Sequence, residues 1–532
     1  MSLNFDFSSW PPALTKVQLD TLTLYATTYA LSHGLLYLPP AEHQPTIPSA
    51  AIHAPISLFP SPFPRQLFEQ GRRIQRTYNL LYARIAMDEE FLDRIMGAEE
   101  GVGKVDNFIG QLWTGWKQLR DKGLAQPLHL GLFRSDFLLH APPAKPVCIK
   151  QVEFNTISVS FGSLSQKTAE LHRYLLASTN YYDTSPYLTR DRFPVNDTIS
   201  GLASGLAASH KAYDVAGSHV LFVVQPGERN VFDQRLLEYE LLEKYSIHII
   251  RQTFDELAHS ASVDSSTSVL RISCSEDLHP SGSIEISTVY YRSGYMPHEY
   301  PTPGHYTTRF LLEGSKAIKC PTIALQLAGG KKVQEVLTQP GMIERFLADE
   351  KKYGTVILSR EEIDELRQSF MAMWGLDVSE DMLTPDASAA SSGSGQEEFG
   401  VRKARDAALS LVLKPQREGG GNNVYKDAIP SFLDSLPPQD RQAWIAMELI
   451  KTPENTGNYL VRAGATDLHS QTPVKSDVVS ELGIFGWALF GEPTQRVEER
   501  EVGWLLRTKG KDSNEGGVAT GFSVLDSLLL VD

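Results

Sequence analysis

Cysteine is scarce in this sequence, which has only three among its 532 residues: Cys148, Cys274 and Cys320. They lie far apart and lack the short spacing of metal-ligand cysteines, so a cysteine-based metal site is not predicted. Their simplest interpretation is as free thiols in a reducing cytoplasm.

Long apolar runs and positive charge are also in short supply. No stretch of about eighteen apolar residues occurs, so the sequence predicts no membrane-spanning helix. Residues 1–17 lack a basic start followed by an apolar segment, so a secretory signal is not expected. The formal net charge is −14 at pH 7. A general nucleic-acid binder needs a basic face, so that class of function is disfavoured.

Two widespread nucleotide-binding motifs are missing. A Walker loop requires Ser or Thr after its Gly-Lys pair, but Val333 follows Gly329-Gly330-Lys331-Lys332. No Gly-x-Gly-x-x-Gly turn opens a helix after a strand, so a dinucleotide-binding fold is not predicted. A nucleotide site in this chain must therefore be built in another way.

What is present is a glycine-rich loop, residues 414–425, directly after an apolar run at Ala408–Leu413 that predicts a buried strand. Its three consecutive glycines tolerate positive φ, so their N–H groups can form an anion-binding concavity. Lys414 and Arg417 add positive charge, and Glu418 supplies the hard oxygen that Mg²⁺ prefers. The loop therefore predicts a metal–nucleotide site. The alternative is a mobile surface linker, because triple glycine is common in linkers.

A second set of oxygen ligands is predicted upstream. Residues 128–139 and 147–155 are both typical of strands, and the second alternates so that Gln151, Glu153 and Asn155 share one face. Two such oxygens can share one Mg²⁺, although a half-exposed polar face explains the same pattern. The hydroxyl-rich segment Thr156–Gly162 then leads into a helix predicted at 167–176. Free N–H groups at this turn suit a substrate carboxylate.

An α/β segment follows the second strand pair. Strands are predicted at 219–225 and 286–295 and a helix at 232–245, with a serine-rich loop at 260–268. Polar turns after the two strands carry Arg229 and Arg292. Because ligands collect beyond the carboxyl ends of strands in open α/β sheets, the two arginines predict a carboxylate clamp, unless both are surface charges.

The rest of the chain gives weaker signals. Helices are predicted at 14–36 and 65–98, separated by a proline-dense loop or coil at 39–64, and Lys331-Lys332 is interpreted as the solvated end of another helix. Residues 386–400 are predicted to form a mobile, low-complexity insert. Residues 443–450 predict a strand that lies in the core or offers backbone groups to adenine. A second glycine-rich loop at 515–521 follows two cations and is a candidate lid.

Taken together, five blocks resemble the eukaryotic glutathione synthetase family of the ATP-grasp superfamily, over roughly residues 15–530. They are Lys150–Ser158, Glu228–Arg235, Gln326–Gly329, Lys414–Asn423, and Leu505–Lys509 with Gly516–Ala519. The resemblance implies an α/β (α+β) ATP-grasp fold with an inserted three-layer α/β substrate-binding domain and glycine-rich lid loops. It places an N-terminal part at 1–216, the substrate domain at 217–328 and a C-terminal part at 329–532.

The resemblance also implies a reaction and a set of contacts. The family joins γ-glutamylcysteine to glycine at the expense of ATP, with Mg²⁺, expected here as two ions. The implied metal ligands are Glu153, Asn155 and Glu418, and the implied catalytic residues are Arg134, Arg507 and Lys414. The implied ATP contacts are Glu153, Lys331, Lys414, Pro415, Gln416, Arg417, Glu418, Gly419, Gly420, Gly421, Asn422, Asn423, Tyr425, Met447, Glu448, Leu449, Ile450, Glu481, Lys509 and Glu515. The implied substrate contacts are Arg134, Ile157, Ser158, Val159, Ser160, Glu228, Arg229, Asn230, Gln234, Arg292, Ser293, Gly294, Tyr295, Arg507, Val518 and Ala519.

The sequence departs from the family at two of these positions. Ser293 and Glu515 stand where the family usually has Asp. A cytoplasmic homodimer is expected from the resemblance, with neither nucleic acid nor membrane as a partner. Three alternatives stay open: a homologue that takes β-alanine or another amine, a nucleotide-binding module without catalysis, and a kinase for a small carboxylate or amine.

Overall fold

The computed structural model describes residues 5–39, 47–277, 279, 281–354, 357–378, 398–418, 420–463, 473–491, 497–512, 518 and 523–532. Most of the predicted insert at 386–400 and of the second glycine-rich loop at 515–521 lies outside these residues, as does Gly419. None of the described helices has the length and apolar character needed to cross a bilayer. All three cysteines are free thiols, as predicted.

The helices are α1 Lys16–Ser32, α2 Arg65–Ala86, α3 Glu89–Met96, α4 Asn107–Lys122, α5 Gly162–Thr179, α6 Thr198–Tyr213, α7 Val231–Tyr245, α8 Phe254–Ser260, α9 Pro303–Glu313, α10 Ile323–Ala328, α11 Lys331–Leu337, α12 Met342–Leu347, α13 Glu350–Tyr353, α14 Arg360–Gln368, α15 Phe399–Asp406 and α16 Ile429–Ser435. The predicted helix at 65–98 is thus two helices. The second begins after Asp88, whose carboxylate accepts the Phe91 N–H as an N-cap.

The strands are β1 Leu36–Tyr37, β2 Ile52–His53, β3 Ile56–Ser57, β4 Ser61–Pro64, β5 Leu128–His140, β6 Cys148–Asn155, β7 His219–Val223, β8 Ile249–Gln252, β9 Ala261–Val263, β10 Leu270–Ser273, β11 Ser283–Tyr291, β12 Ile318–Cys320, β13 Met373–Gly375, β14 Leu411–Pro415, β15 Val424–Tyr425, β16 Trp444–Glu448, β17 Gly457–Val461, β18 Val474–Gly491, β19 Glu498–Gly510, β20 Ser523–Asp526 and β21 Leu528–Val531.

A thirteen-stranded mixed sheet forms the body of the described chain. Its centre is the long strand β18, which pairs antiparallel with both β5 and β19. On the other side of β5 lie β6, antiparallel, and β12, parallel; β11 and β7 continue the sheet in parallel. The strands of the α/β segment therefore join the same sheet as the N- and C-terminal strands.

A separate four-stranded sheet, in the order β13-β16-β14-β15, carries the glycine-rich loop. Alternation along β14 gives its two faces different neighbours. Leu411 and Leu413 pack with α15 and α16 in a small core. Val412 and Lys414 point the other way, into the space between the two sheets. The loop therefore starts on the face that looks towards the large sheet.

Several sequence predictions are wrong in detail. Ala408–Ser410 forms a 3₁₀ turn rather than a strand, and the Leu409 side chain is exposed. Within the described part of the proline-dense segment, short strands β2, β3 and β4 replace coil. The prolines of β4 are tolerated because β4 pairs only with β21 in a two-stranded sheet. The serine-rich loop contains β9.

Two further corrections bear on the site. A β-bulge in β6, between the partners of Asp136 and Phe137, reverses the alternation, so Gln151 does not share a face with Glu153. Gln151 is buried and accepts from Gln334 Nε2 at 3.0 Å. The predicted solvated end of α11 is instead buried, and its first residue Lys331 is only 4% exposed.

Gly201 tests how tightly α6 packs on the large sheet. A Cβ at this position would lie 2.6 Å from Val502 O on β19, so Gly201→Ala forces the helix away from the strand. We expect a loss of about 1–3 kcal/mol of stability, seen as a lower thermal midpoint. Gly304→Ala is the matched control, because the nearest atom to its Cβ, Thr302 Oγ1, lies at an ordinary contact distance of 3.4 Å. Equal midpoints for the two variants would contradict this account of the packing.

Candidate active site

A cavity of about 410 Å³ lies between the two sheets. The large sheet contributes side chains from β5, β6, β18 and β19, and the small sheet contributes β14, β16 and the glycine-rich loop. Most of the lining side chains are charged or polar. Such a lining suits a charged or polar ligand, because buried polar groups need partners.

The centre of the cavity is an ammonium group between two carboxylates. Lys331 Nζ lies 2.6 Å from Glu418 Oε1 and 3.2 Å from Glu153 Oε2. Burial disfavours the charged lysine, but the two carboxylates raise its pKa above the ordinary value. Burial also disfavours the charged form of Glu153 and so raises its pKa, but Lys331 and the neighbouring cations outweigh this and lower that pKa to about 2. Burial raises the pKa of Glu418. The two carboxylates are therefore electrostatically unequal.

Lys414 is the cation of the glycine-rich loop that lies deepest in the cavity. Its Nζ donates to the Val152 carbonyl at 2.8 Å, the backbone position of the β6 bulge. Burial, reinforced by the like charge of Lys331, lowers the pKa of Lys414 to about 8 against the opposing effect of Glu153. An anion entering the cavity would therefore favour the charged form of Lys414.

Two arginines that line the cavity converge on one buried carboxylate. Arg134 Nε and Nη2 donate to the two oxygens of Asp136 at 2.6 and 2.8 Å. Arg507 Nη2 donates to Asp136 Oδ2 at 3.1 Å and also pairs with Glu481. Burial opposes the charge on Arg507, but its two carboxylate partners raise its pKa. Both guanidinium groups are thus held in place by carboxylates.

The glycine-rich loop shows the backbone geometry that its sequence predicts. Gly420 and Gly421 have φ angles of 73° and 78°, which residues other than glycine rarely adopt. The Arg417 guanidinium is ion-paired with Asp106, the N-cap of α4. The loop is therefore attached to the N-terminal helices as well as to its own sheet.

The cavity brings together most of the predicted site residues. Those that line it are Arg134, Glu153, Asn155, Ile157, Ser158, Val159, Ser160, Tyr295, Lys331, Lys414, Arg417, Glu418, Gly420, Asn422, Asn423, Tyr425, Met447, Glu448, Leu449, Ile450, Glu481, Arg507, Lys509 and Val518. Gln416 lies behind the cavity wall, where its side-chain amide donates to Ala443 O and accepts from the Lys332 N–H. Pro415 and Gly421 do not line the cavity, and Gly419, Glu515 and Ala519 lie outside the described residues.

A second polar region lies behind the loop at 157–161. Arg292 Nη1 donates to Ser158 O at 3.0 Å and bonds Val159 O, and Arg292 also lies 4.0 Å from Asp233. The other predicted residues here are Glu228, Arg229, Asn230, Gln234, Ser293 and Gly294. Arg229 Nε donates to Leu38 O at 3.0 Å, and Arg229 does not line the cavity. The carboxylate clamp of Arg229 and Arg292 stays a prediction.

Three polar atoms in this second region have no hydrogen-bond partner among the described residues: Tyr37 Oη, Asn230 Oδ1 and Arg292 Nε, all buried. Burial raises the pKa of Tyr37, and the negative charges of Glu228 and Asp233 act in the same direction. Leaving buried polar atoms unpaired costs free energy, so this region suits a polar ligand that pairs with them.

Some lining residues were not predicted from the sequence. They are Leu138, Val152, Phe161, Val412, Lys426, Thr452, Val479 and Lys511, with Asp136 and Tyr37 close behind. Asp136 lies two residues from Arg134 on one strand, and this spacing places both on the same face. That signal was available in the sequence. Nothing local to Tyr37 indicates that its strand reaches the segment at 228–234.

The oxygen donors in the cavity suit Mg²⁺. Glu153, Asn155 and Glu418 all line it, and hard carboxylate and amide oxygens are what this ion binds. No cluster of three or more His, Cys, Asp or Glu with metal-binding geometry occurs in the described part of the chain. This donor set of two carboxylates and one amide leaves coordination positions for phosphate oxygens and water, as Mg²⁺ usually requires.

The fold and the cavity together define an ATP-grasp enzyme of the ligase type: a glycine-rich loop on a small sheet faces carboxylates and arginines on a large one. The family model for eukaryotic glutathione synthase, ATP binding domain, matches residues 16–530. The chain belongs to the eukaryotic glutathione synthase family.

Similar proteins agree with this assignment. The chain is 37% identical over 513 residues to the glutathione synthetase of Homo sapiens, covering 96% of this chain and 97% of that one. It is 36% identical over 543 residues to the glutathione synthetase large chain of Schizosaccharomyces pombe, with coverage of 97% and 98%. A glutathione synthetase-like effector from Globodera pallida shares the fold, with a TM-score of 0.70 at 22% identity and 98% coverage of both chains.

The lowered pKa of Lys414 predicts how nucleotide binding depends on pH. The lysine is cationic below about pH 8 and loses its charge as the pH rises through that value. We expect the affinity for ADP to fall about tenfold between pH 7 and pH 9.5, as for loss of one charged hydrogen bond. Lys414→Met should bind weakly throughout, without this step. Titration calorimetry checks both, and the same pH step in Lys414→Met would contradict the assignment to Lys414.

Proposed function

We propose that this protein ligates γ-glutamylcysteine to glycine, using ATP and Mg²⁺, and releases glutathione, ADP and phosphate. The observation that supports it best is the arrangement of charges in one cavity. Lys331 and Lys414 lie beside Glu153 and Glu418, and Arg134 and Arg507 lie around Asp136, the direct strand partner of Glu153. Groups suited to a metal-bound polyphosphate therefore lie next to two arginines suited to a carboxylate, as phosphoryl transfer between the two ligands requires. Family membership supports the same reaction.

The chemistry requires activation of the acid. An amine does not displace hydroxide from a carboxylate, so the cysteinyl carboxylate attacks the terminal phosphorus of ATP and becomes an acyl phosphate, with ADP as leaving group. The glycine amine then attacks the acyl carbon and phosphate departs. Lys331 and Lys414 stabilise negative charge on the transferring phosphoryl group. Bound Mg²⁺, held by Glu153, Asn155 and Glu418, would neutralise further phosphate charge.

The arginines act on the cysteinyl carboxylate, which accepts the phosphoryl group. We assign Arg134 to orienting that carboxylate and to stabilising the tetrahedral intermediate, with Arg507 beside it. A nucleophilic side chain is not required, because positioning and electrostatics are sufficient for this reaction. Water must be kept out, since an acyl phosphate hydrolyses. The loop at 414–425 is the proposed cover over the phosphates.

Adenine and the γ-glutamyl end take the remaining regions. We assign adenine to the cavity wall at Met447–Ile450 and the γ-glutamyl group to the second polar region around Asn230 and Arg292, whose unpaired atoms support this. Val518, buried at the cavity wall, marks the glycine end. A homodimer and the three-part division at residues 216 and 328 are part of the same proposal.

The leading alternative is a ligase that uses β-alanine as acceptor. One methylene group separates the two acceptors by only about 1–3 kcal/mol, so the cavity alone does not exclude it. The deciding assay incubates the protein with ATP, Mg²⁺ and γ-glutamylcysteine and compares phosphate release with glycine, β-alanine and no acceptor. Faster release with glycine supports the proposal, and faster release with β-alanine refutes it. Release of a stable phosphorylated product would indicate a kinase.

Two alanine variants test the assigned roles. Arg134→Ala and Glu418→Ala should each lower kcat by about 10²-fold, as expected when a group that stabilises transition-state charge is lost. The surface pair Arg73 and Glu365, joined at 2.7 Å, gives matched controls whose alanine variants should retain parental kcat. A near-parental rate in either cavity variant would refute the role of that residue.

A further inference from the structure

The carboxylate of Asp136 holds three side chains of the proposed site at once. Asp136 is fully buried in the middle of β5, with β6 on one side and β18 on the other. Its Oδ1 accepts from Arg134 Nε, and its Oδ2 accepts from Arg134 Nη2, Arg507 Nη2 and Asn155 Nδ2, the last at 3.0 Å. Every partner is a hydrogen-bond donor, so the whole arrangement requires both oxygens of Asp136 to be acceptors.

These bonds fix which atoms face the cavity. Two of the three nitrogens of the Arg134 guanidinium are taken by Asp136, so Nη1 remains on the cavity side, 3.3 Å from Ser160 O. Asn155 uses its Nδ2 on Asp136 and on the Arg134 carbonyl, at 3.0 and 3.3 Å. Its amide oxygen is therefore the atom left for a cation. Reversing that amide would present an N–H₂ group, which cannot bind a metal ion.

A glycine opposite Asp136 makes room for this arrangement. Gly483 on β18 pairs directly with Asp136. A Cβ at Gly483 would lie 2.8 Å from Arg134 Cδ and 3.0 Å from Asp136 Oδ1. Any other residue at this position would therefore press on both partners of the Arg134–Asp136 hydrogen bond without changing the charge of Asp136.

We propose that Asp136 is a positioning residue that sets the direction of Arg134, Arg507 and the Asn155 amide, and so couples carboxylate orientation to metal binding. Asp136 does not itself line the cavity, so it acts through these three side chains. The inference rests on the proposed function for its catalytic part. Its metal-binding part does not depend on the reaction, because it involves only the binding of nucleotide and Mg²⁺ to this protein.

Asp136→Asn tests the inference with two readouts. The variant keeps the shape but turns one acceptor into a donor, which opposes the donors already there. We expect kcat for phosphate release to fall about 10²-fold, as when reacting groups are misplaced. We also expect the tightening of ADP binding by Mg²⁺ to decrease about tenfold, which is typical for loss of a residue that orients a metal ligand. Calorimetry with and without Mg²⁺ measures the second effect in the absence of turnover.

Asp526→Asn is the matched control. Asp526 is equally buried and accepts from Ser61 and Thr508, both at 2.6 Å, but it does not line the cavity. A merely structural role for Asp136 would make the two variants alike: lower thermal midpoints, with kcat and the effect of Mg²⁺ within about twofold of the parent. That outcome overturns the inference.

Gly483→Ala decides the matter if Asp136→Asn does not fold. It should reproduce the loss of kcat by disturbing the Arg134–Asp136 hydrogen bond, and parental kcat in this variant would overturn the inference. The proposed function fails separately, if the parent protein shows no glycine-dependent phosphate release. In that case the effect of Mg²⁺ on ADP binding still tests Asp136, and an equal effect in the parent and in Asp136→Asn overturns the inference.

Discussion

The compensation of buried charge between the two sheets is the constraint on which the site depends. Lys331 lies between Glu153 of the large sheet and Glu418 of the glycine-rich loop. Each of these charges loses hydration in the cavity, and an unpaired charge there would cost several kcal/mol. An ion pair built on a buried ammonium group adds little to stability by comparison with apolar packing. Its presence is better explained by a requirement to receive a charged ligand.

Long strands hold the large-sheet half of that arrangement. Glu481 and Arg507 are direct partners in the β18–β19 pair, and Arg134 lies across from Phe485 on the other edge of β18. Sites built on paired strands are more precise than sites built on loops. The small sheet contributes a loop rather than paired strands. This loop contains two glycines with left-handed backbone conformation and is attached through Arg417 to Asp106. A rigid half and an adjustable half suit a reaction that must admit substrates and then exclude water.

The sequence predicted local features well and long-range ones poorly. Period-2 and period-3.6 patterns located strand β5 and helices α1 and α7 within a few residues. The burial of Lys331 was missed because its carboxylate partners lie 178 and 87 residues away. Gln151 was assigned to the wrong face because a β-bulge is set by the partner strand and leaves no mark on alternation alone. Most of the cavity residues were found through the resemblance to a family, whereas Asp136 and Tyr37, which lie behind the cavity wall, were missed.

The second polar region can supply binding free energy at a distance from the reacting atoms. Tyr37 Oη, Asn230 Oδ1 and Arg292 Nε are buried without partners among the described residues, and each such atom costs about 1–3 kcal/mol. A polar group that pairs with them recovers that free energy on binding. Arg292 bonds the backbone of Ser158 and Val159, which line the cavity, so order in the second region is transmitted to the cavity wall. On the proposed function, the γ-glutamyl end would thus help to hold the distant carboxylate in place for phosphorylation.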